Sequence, residues 1–190
     1  MSGSHARSRG LPLLVLLVIS LGIFLTYWNV GLNDDEGYLI GGVTRILDGE
    51  VPYRDFHHTY ASGRFYLIAG LFRVFGEDLL VVRALWVVMR VAIVLLAYLL
   101  ARRFLSVSGA CAFAAIWIAI PGPWHKSFFH FFLLLDMLVI VNAALHPTRK
   151  AVAIAGAVAG LSLLFRQDLG LFALSVWVVM AALSFRTRIT

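Results

Sequence analysis

Asp34-Asp35-Glu36 begins just after Leu11 to Val30, an uncharged run of 20 residues. That run is long enough to cross a bilayer, and charge at its mouth is costly unless something uses it. One or two first-turn carboxylates would steady a helix through its dipole, each by ~0.3–1 kcal/mol. Three adjacent ones repel each other. The surplus points to a site in which one carboxylate acts as a general base toward a hydroxyl, while the helix-start role accounts for the rest.

Asp136 raises the same question, flanked by Leu133-Leu134-Leu135 and Met137-Leu138. An ionisable group inside such a run is either functional or half of a buried pair. Arg83 and Arg90, seven residues apart, share nearly one helical face. Arg83 is placed to snorkel to the interface. Arg90 lies deeper, with Asp136 as its structural partner and a phosphate as its chemical one. His57 and His58 point apart on any regular backbone and have no third ligand at suitable spacing, so no metal site is read there. His130 reads as an interface residue. Cys111 is the only cysteine, which rules out an intrachain disulfide and a multi-thiol metal site. No glycine loop ending in Lys-Ser or Lys-Thr is present, and no serine elbow. Nucleotide hydrolysis and serine hydrolase chemistry are therefore without support.

The elements that must carry these residues are apolar helices. The chain is 61% hydrophobic and 14% charged, with mean hydropathy +0.89, too apolar for a soluble chain of 190 residues. The expected fold is all-α, a polytopic helical membrane protein. Six spans are predicted: Leu11 to Val30, Leu79 to Leu100, Ser106 to Ile120, Phe128 to Leu145, Ala151 to Phe165 and Leu169 to Phe185. Several are short for a straight crossing. The N-terminal run also fits a signal peptide, but bulky Thr26-Tyr27-Trp28-Asn29 follows it in place of a small-x-small cleavage site, so a retained span is expected. Gly156 and Gly160 predict a close-packing face on the fifth span.

Arg7 and Arg9, Arg102 and Arg103, Arg149 and Lys150, and Arg186 and Arg188 occupy every second junction, none of which carries an acid. Positive charge retained inside places both termini in the cytoplasm. The acidic triplet, with Asp48, Glu50, Asp55, Glu77, Asp78 and Asp168, then falls outside. The net charge of +6 reflects these junctions and implies no nucleic acid. Residues 31 to 78 form the first outer loop. Asn33 with Glu36 makes a capping box for a helix from Asp34 to Leu47, closed by Asp48-Gly49 and Pro52. A second helix is predicted from Ala61 to Phe75, ended by Gly76. Both lie along the membrane face.

Asp34-Asp35-Glu36-Gly37-Tyr38 is followed by Leu47-Asp48-Gly49-Glu50-Val51-Pro52-Tyr53-Arg54-Asp55-Phe56. Then come Tyr60 to Tyr66, Leu71-Phe72-Arg73-Val74-Phe75-Gly76 and Arg83 to Arg103. In this order the stretch resembles the GT-C class of polyprenyl-phosphate-sugar-dependent glycosyltransferases, which includes protein O-mannosyltransferases and the aminoarabinose transferases of lipid A. Phe165-Arg166-Gln167-Asp168-Leu169-Gly170 looks like a recurring outer turn of these enzymes.

The resemblance implies inverting transfer of a sugar from a polyprenyl phosphate to an acceptor hydroxyl on a glycan, lipid or protein, at the outer face of a bacterial-style inner membrane. Asp34 or Asp35, within the acidic motif that Glu36 completes, would take the acceptor's proton. Asp136 is a looser match to the second acidic residue of the class, near the outer face. The leaving phosphate needs positive charge in a site poor in water, for which Arg64, Arg166, Lys126 and His130 are the outer candidates and Arg90 a deeper one. No cofactor is implied, and a divalent metal is left open. Where relatives carry Lys-Pro or Pro-Pro, this chain has Ala61-Ser62-Gly63-Arg64, with Arg64 as the stand-in for the lysine's charge. Members of the class are longer, so an N-terminal module is expected. Two other functions fit the composition: a non-catalytic membrane scaffold or subunit, and a transporter or lipid flippase. The second would need charge through both leaflets, whereas only Arg90 and Asp136 lie deep.

Overall fold

The computed structural model describes residues 3–29, 34–119 and 123–186, with side chains over 10–28, 34–119 and 123–182. Val30, Asn33, Ile120 and Arg188 lie outside the described residues, as do the side chains of Arg7, Arg9 and Arg186. The described residues form helices α1 (Gly3–Leu25), α2 (Asp34–Leu47), α3 (Gly63–Phe75), α4 (Leu79–Ala101), α5 (Val107–Ala119), α6 (Ser127–Leu145), α7 (Arg149–Phe165) and α8 (Gln167–Arg186). Short 3-10 turns cover Thr26–Asn29 and Trp124–Lys126. The all-α expectation holds.

Each expected span has its helix, but their lengths differ in consequence. Three segments are long and apolar enough to cross a membrane: Gly10–Trp28, Leu79–Ala101 and Trp124–Leu145. Val107–Ala119 and Gln167–Ala182 are shorter apolar helices. Thirteen residues at ~1.5 Å each make α5 about 20 Å long, short of the ~30 Å hydrocarbon core. Among the described residues, length and composition support three of the six predicted crossings.

The two juxtamembrane helices form where local chemistry specifies them. α2 starts on the acidic triplet and closes at Gly49, whose φ of +92° favours glycine. Glu36, Leu39, Val43 and Ile46 recur at helical spacing and make its buried face. α3 begins at Gly63, two residues later than expected, and ends at Gly76 (φ +91°). In the loop between them, Asp55 accepts from Arg54 and from the Val51 N–H, which holds its carboxyl down to about 2. Asp78 caps α4 by accepting from Leu80 N at 2.8 Å.

α4 is the axis of the bundle. One side of it, with Val82 and Trp86, packs against Leu39 and Val43 of α2, Phe65, Ile68 and Phe72 of α3, and Phe128 of α6. Val87, Val91, Val94 and Tyr98 meet Leu16 and Phe24 of α1 and Ala110 and Ala114 of α5. Ile93, Ala97 and Leu100 meet Leu134 of α6. In the α7–α8 hairpin, Gly156 lies under the Trp177 ring, and Trp177 Nε1 donates to Val152 O at 2.7 Å. Gly160 faces open space, so the predicted paired-glycine face uses only Gly156. The fully buried small residues of α7 are Ala155, Ala159 and Ser162, at i, i+4 and i+7.

The α7–α8 turn is bolted onto the start of α3. A Cβ at Gly63 would collide with the Leu164 carbonyl oxygen. Gln167 Oε1 accepts from Ala61 N at 2.9 Å, while its Nε2 donates to Thr59 O at 3.4 Å.

Candidate functional site

The acidic triplet divides between surface and interior. A helix turns about 100° per residue, so Asp34 and Asp35 face outward while Glu36 points into the bundle, fully buried. Tyr27 Oη donates to Glu36 Oε1. The Glu36 Oε2 atom lies 3.9 Å from Arg83 Nη2, and Arg83 Nη1 donates to Trp28 O at 2.8 Å. Arg83 is thus buried and does not snorkel, a correction to the sequence reading: its carboxylate comes from a different helix. Glu36 ties α2 to α4 and to the end of α1.

Asp35 keeps a 66% exposed side chain, with His125 Nε2 at 3.6 Å from its Oδ2. His125 belongs to the Trp124–Lys126 turn, which is fixed by Trp124 stacking on Tyr27, centroids 3.8 Å apart. Nothing beside His125 in the sequence marks it, because only the fold brings its turn to α2. Lys126 is exposed beside it.

Arg64 sits on the first turn of α3, 5% exposed. Its Nη2 donates to His58 Nε2 at 2.8 Å. A guanidinium can only donate, so His58 Nε2 is unprotonated and its Nδ1–H faces Tyr38 Oη at 3.3 Å. Burial, then Arg64 and His57, push the His58 imidazole down to about 4. His57 is exposed and the pair points apart as expected. Among the described residues, no group of three metal-ligating side chains forms.

The depressed His58 value has a consequence for stability. The unfolded chain titrates near 6.5 and the folded one near 4. The unfolded state therefore binds more protons in that window, and folding stability falls as pH drops from 6.5 toward 4. The expected result is a melting temperature that declines over this range more steeply in the wild type than in His58→Gln, measured in the same detergent.

No carboxylate lies within ion-pair distance of Arg64 among the described residues. Its guanidinium carbon is 5.7 Å from the Tyr60 centroid. The Arg166 guanidinium lies 5.5 Å from the same ring and 4.1 Å from Phe129. Arg166 is neutralised by Asp168 at 2.7 Å. Arg90, also buried, donates to Pro123 O at 3.2 Å and lies over Trp124 at 5.2 Å.

Asp136 accepts from Ser162 Oγ at 2.7 Å across α6 and α7. Its structural partner is that serine and not Arg90. It lies ten residues along α6 from Lys126, on the order of 15 Å by helix rise, so the fold does not bring it to Asp35. His130 is half-buried with its ring edge-on to Trp117. Asp35, His125, Arg64 and Tyr60 thus gather at one end of the bundle, with Arg166 across the Tyr60 ring. Beside them lies an open cleft of about 640 Å³ between Tyr53, Ser62, Tyr66, Leu164 and Gln167. No family model, curated protein or solved structure matches this chain.

Proposed function

We propose that this chain is the membrane module of a glycosyltransferase that moves a sugar from a polyprenyl phosphate to an acceptor hydroxyl, with inversion. The observation that carries the reading is the buried Arg64 guanidinium, which has no carboxylate within ion-pair distance among the described residues and lies at the same end of the bundle as the exposed Asp35. A buried cation is expensive unless an anion answers it. A lipid phosphate is an anion suited to a guanidinium fork.

Asp35 accepts the proton of the acceptor hydroxyl, whose oxygen forms a bond to the anomeric carbon. The bond from that carbon to the phosphate oxygen breaks, and its electron pair leaves with the polyprenyl phosphate, stabilised by Arg64. Asp34, equally outward, is the alternative base. Lys126 supplies further positive charge and Arg90 a deeper one, while Arg166, paired with Asp168, offers its remaining guanidinium N–H donors. An apolar groove of about 460 Å³ along Trp28, Leu71, Phe75, Leu80, Ala84 and Val88 suits a prenyl tail. The basic junctions favour cytoplasmic termini, with α2 and α3 at the outer face of a bacterial plasma membrane.

Glu36 and Asp136, both bonded within the fold, favour instead a non-catalytic subunit for which the acids are structural.

The test is photo-crosslinking of a polyprenyl-phosphate probe to the chain in detergent, with unlabelled sugar-charged lipid as competitor. Saturable labelling is expected, falling about tenfold in Arg64→Gln, which keeps a donor toward His58 but loses the charge. Equal labelling of a folded variant, or none of a folded wild type, would remove the donor-site reading.

A further inference from the structure

His125 is buried to 6% exposure, yet its Nε2 edge faces the exposed carboxylate of Asp35. Its Nε2 is 3.6 Å from Asp35 Oδ2, and its Nδ1 is buried with no hydrogen-bond partner among the described residues. This asymmetry fixes the tautomer. A proton on Nδ1 would bury an unanswered N–H and aim a lone pair at a carboxylate. A proton on Nε2 leaves only a lone pair unanswered and directs the N–H at Asp35. A small rotation of the exposed Asp35 side chain closes the remaining few tenths of an ångström.

The ring cannot easily turn away. Trp124, its neighbour in the turn, is stacked on Tyr27 and edge-on to Phe24. Tyr27 in turn holds Glu36, the residue after Asp35. The turn and the start of α2 are therefore joined at two adjacent points, one of them His125. Asp35 and Glu36 from α2, Arg64 from α3 and Lys126 from its own turn are the charges that reach the ring.

We propose that His125 is a positioning residue for Asp35, donating its Nε2–H to hold that carboxylate aimed at the acceptor hydroxyl. The aiming of a base rests on the glycosyltransferase reading; the hydrogen bond does not. The orientation counts because a misplaced base forfeits the geometric advantage, at a cost of up to ~100-fold in rate.

The experiment has two arms on the full chain in detergent micelles. In the first, ¹⁵N-histidine NMR records the His125 ring, assigned by loss of its signals in His125→Gln. The expected spectrum is the Nε2–H tautomer, with the Nε2 signal displaced in Asp35→Asn. A protonated Nδ1 alone, or an Nε2 signal unmoved in Asp35→Asn, overturns the proposal whether or not the chain is an enzyme. In the second, sugar transfer from the lipid donor is followed in His125→Ala and His125→Gln. The expected pattern is a kcat lowered ~10- to 100-fold in the alanine variant with acceptor KM within about twofold. Partial recovery is expected in the glutamine variant, whose amide still donates. A folded alanine variant with unchanged kcat overturns the positioning role. A folded wild type that transfers nothing counts against the glycosyltransferase reading and with it the aiming role, while the first arm still decides the bond.

Discussion

Replacing Glu36 by alanine is expected to destabilise the fold by about 3–5 kcal/mol, the cost of stranding a buried charge. Arg83 is buried on α4, and the Glu36 carboxylate 3.9 Å away is the acid that answers it. Without it, Arg83 keeps the Trp28 carbonyl at 2.8 Å, which carries only a partial negative charge. The Tyr27 hydroxyl also loses its acceptor. Reversible unfolding in mixed micelles, compared with Asp34→Ala, measures the effect. The surface residue should change stability by no more than about 0.5 kcal/mol. Adding Arg83→Met to Glu36→Ala should recover part of the loss, since removing both charges removes the stranded one. Equal stability of Glu36→Ala and wild type would mean that the pair is not holding α2 against α4.

The second large effect is on turnover. Asp35→Asn is expected to lower sugar transfer at least ~100-fold, within the range that a lost general base produces. It should leave the melting temperature near wild type, because the carboxylate is mostly in solvent. The separation of the two readouts is the informative part. A structural acid loses stability on neutralisation, and a base loses rate. Transfer that survives Asp35→Asn but not Asp34→Asn would move the base by one residue. Transfer that survives both would support the subunit reading.

Local chemistry was legible in the residues, and pairing between distant segments was not. α2 runs from Asp34 to Leu47 as expected, because both its ends are written in adjacent residues: a first turn of acids and an Asp-Gly stop. The inward turn of Glu36 was also present in the pattern, since it falls in register with Leu39, Val43 and Ile46. Reading the triplet as a unit concealed it. Arg83 was misplaced because its carboxylate lies 47 positions earlier, and His125 was missed because its acid lies 90 positions earlier. Apolar runs are plain in the residues, but whether a helix is long enough to cross turns on a few residues at its ends. The described part of α5 has 13.

The clasp between Gly63 and the α7–α8 turn also sets an order of events. Ala61 and Gln167 are 106 positions apart, and Arg64 lies immediately after the glycine that seats against Leu164. A ribosome adding about 5–20 residues per second needs roughly 5–20 s to travel that distance. Throughout that interval the first turn of α3 has its partners in α2 and His58, while the face that Gly63 opens toward Leu164 stays uncovered. The Gly63 side of this end is thus closed only after the α7–α8 turn emerges, so a nascent chain stalled before residue 164 would hold α2, α3 and the Arg64–His58 contact but not the clasp.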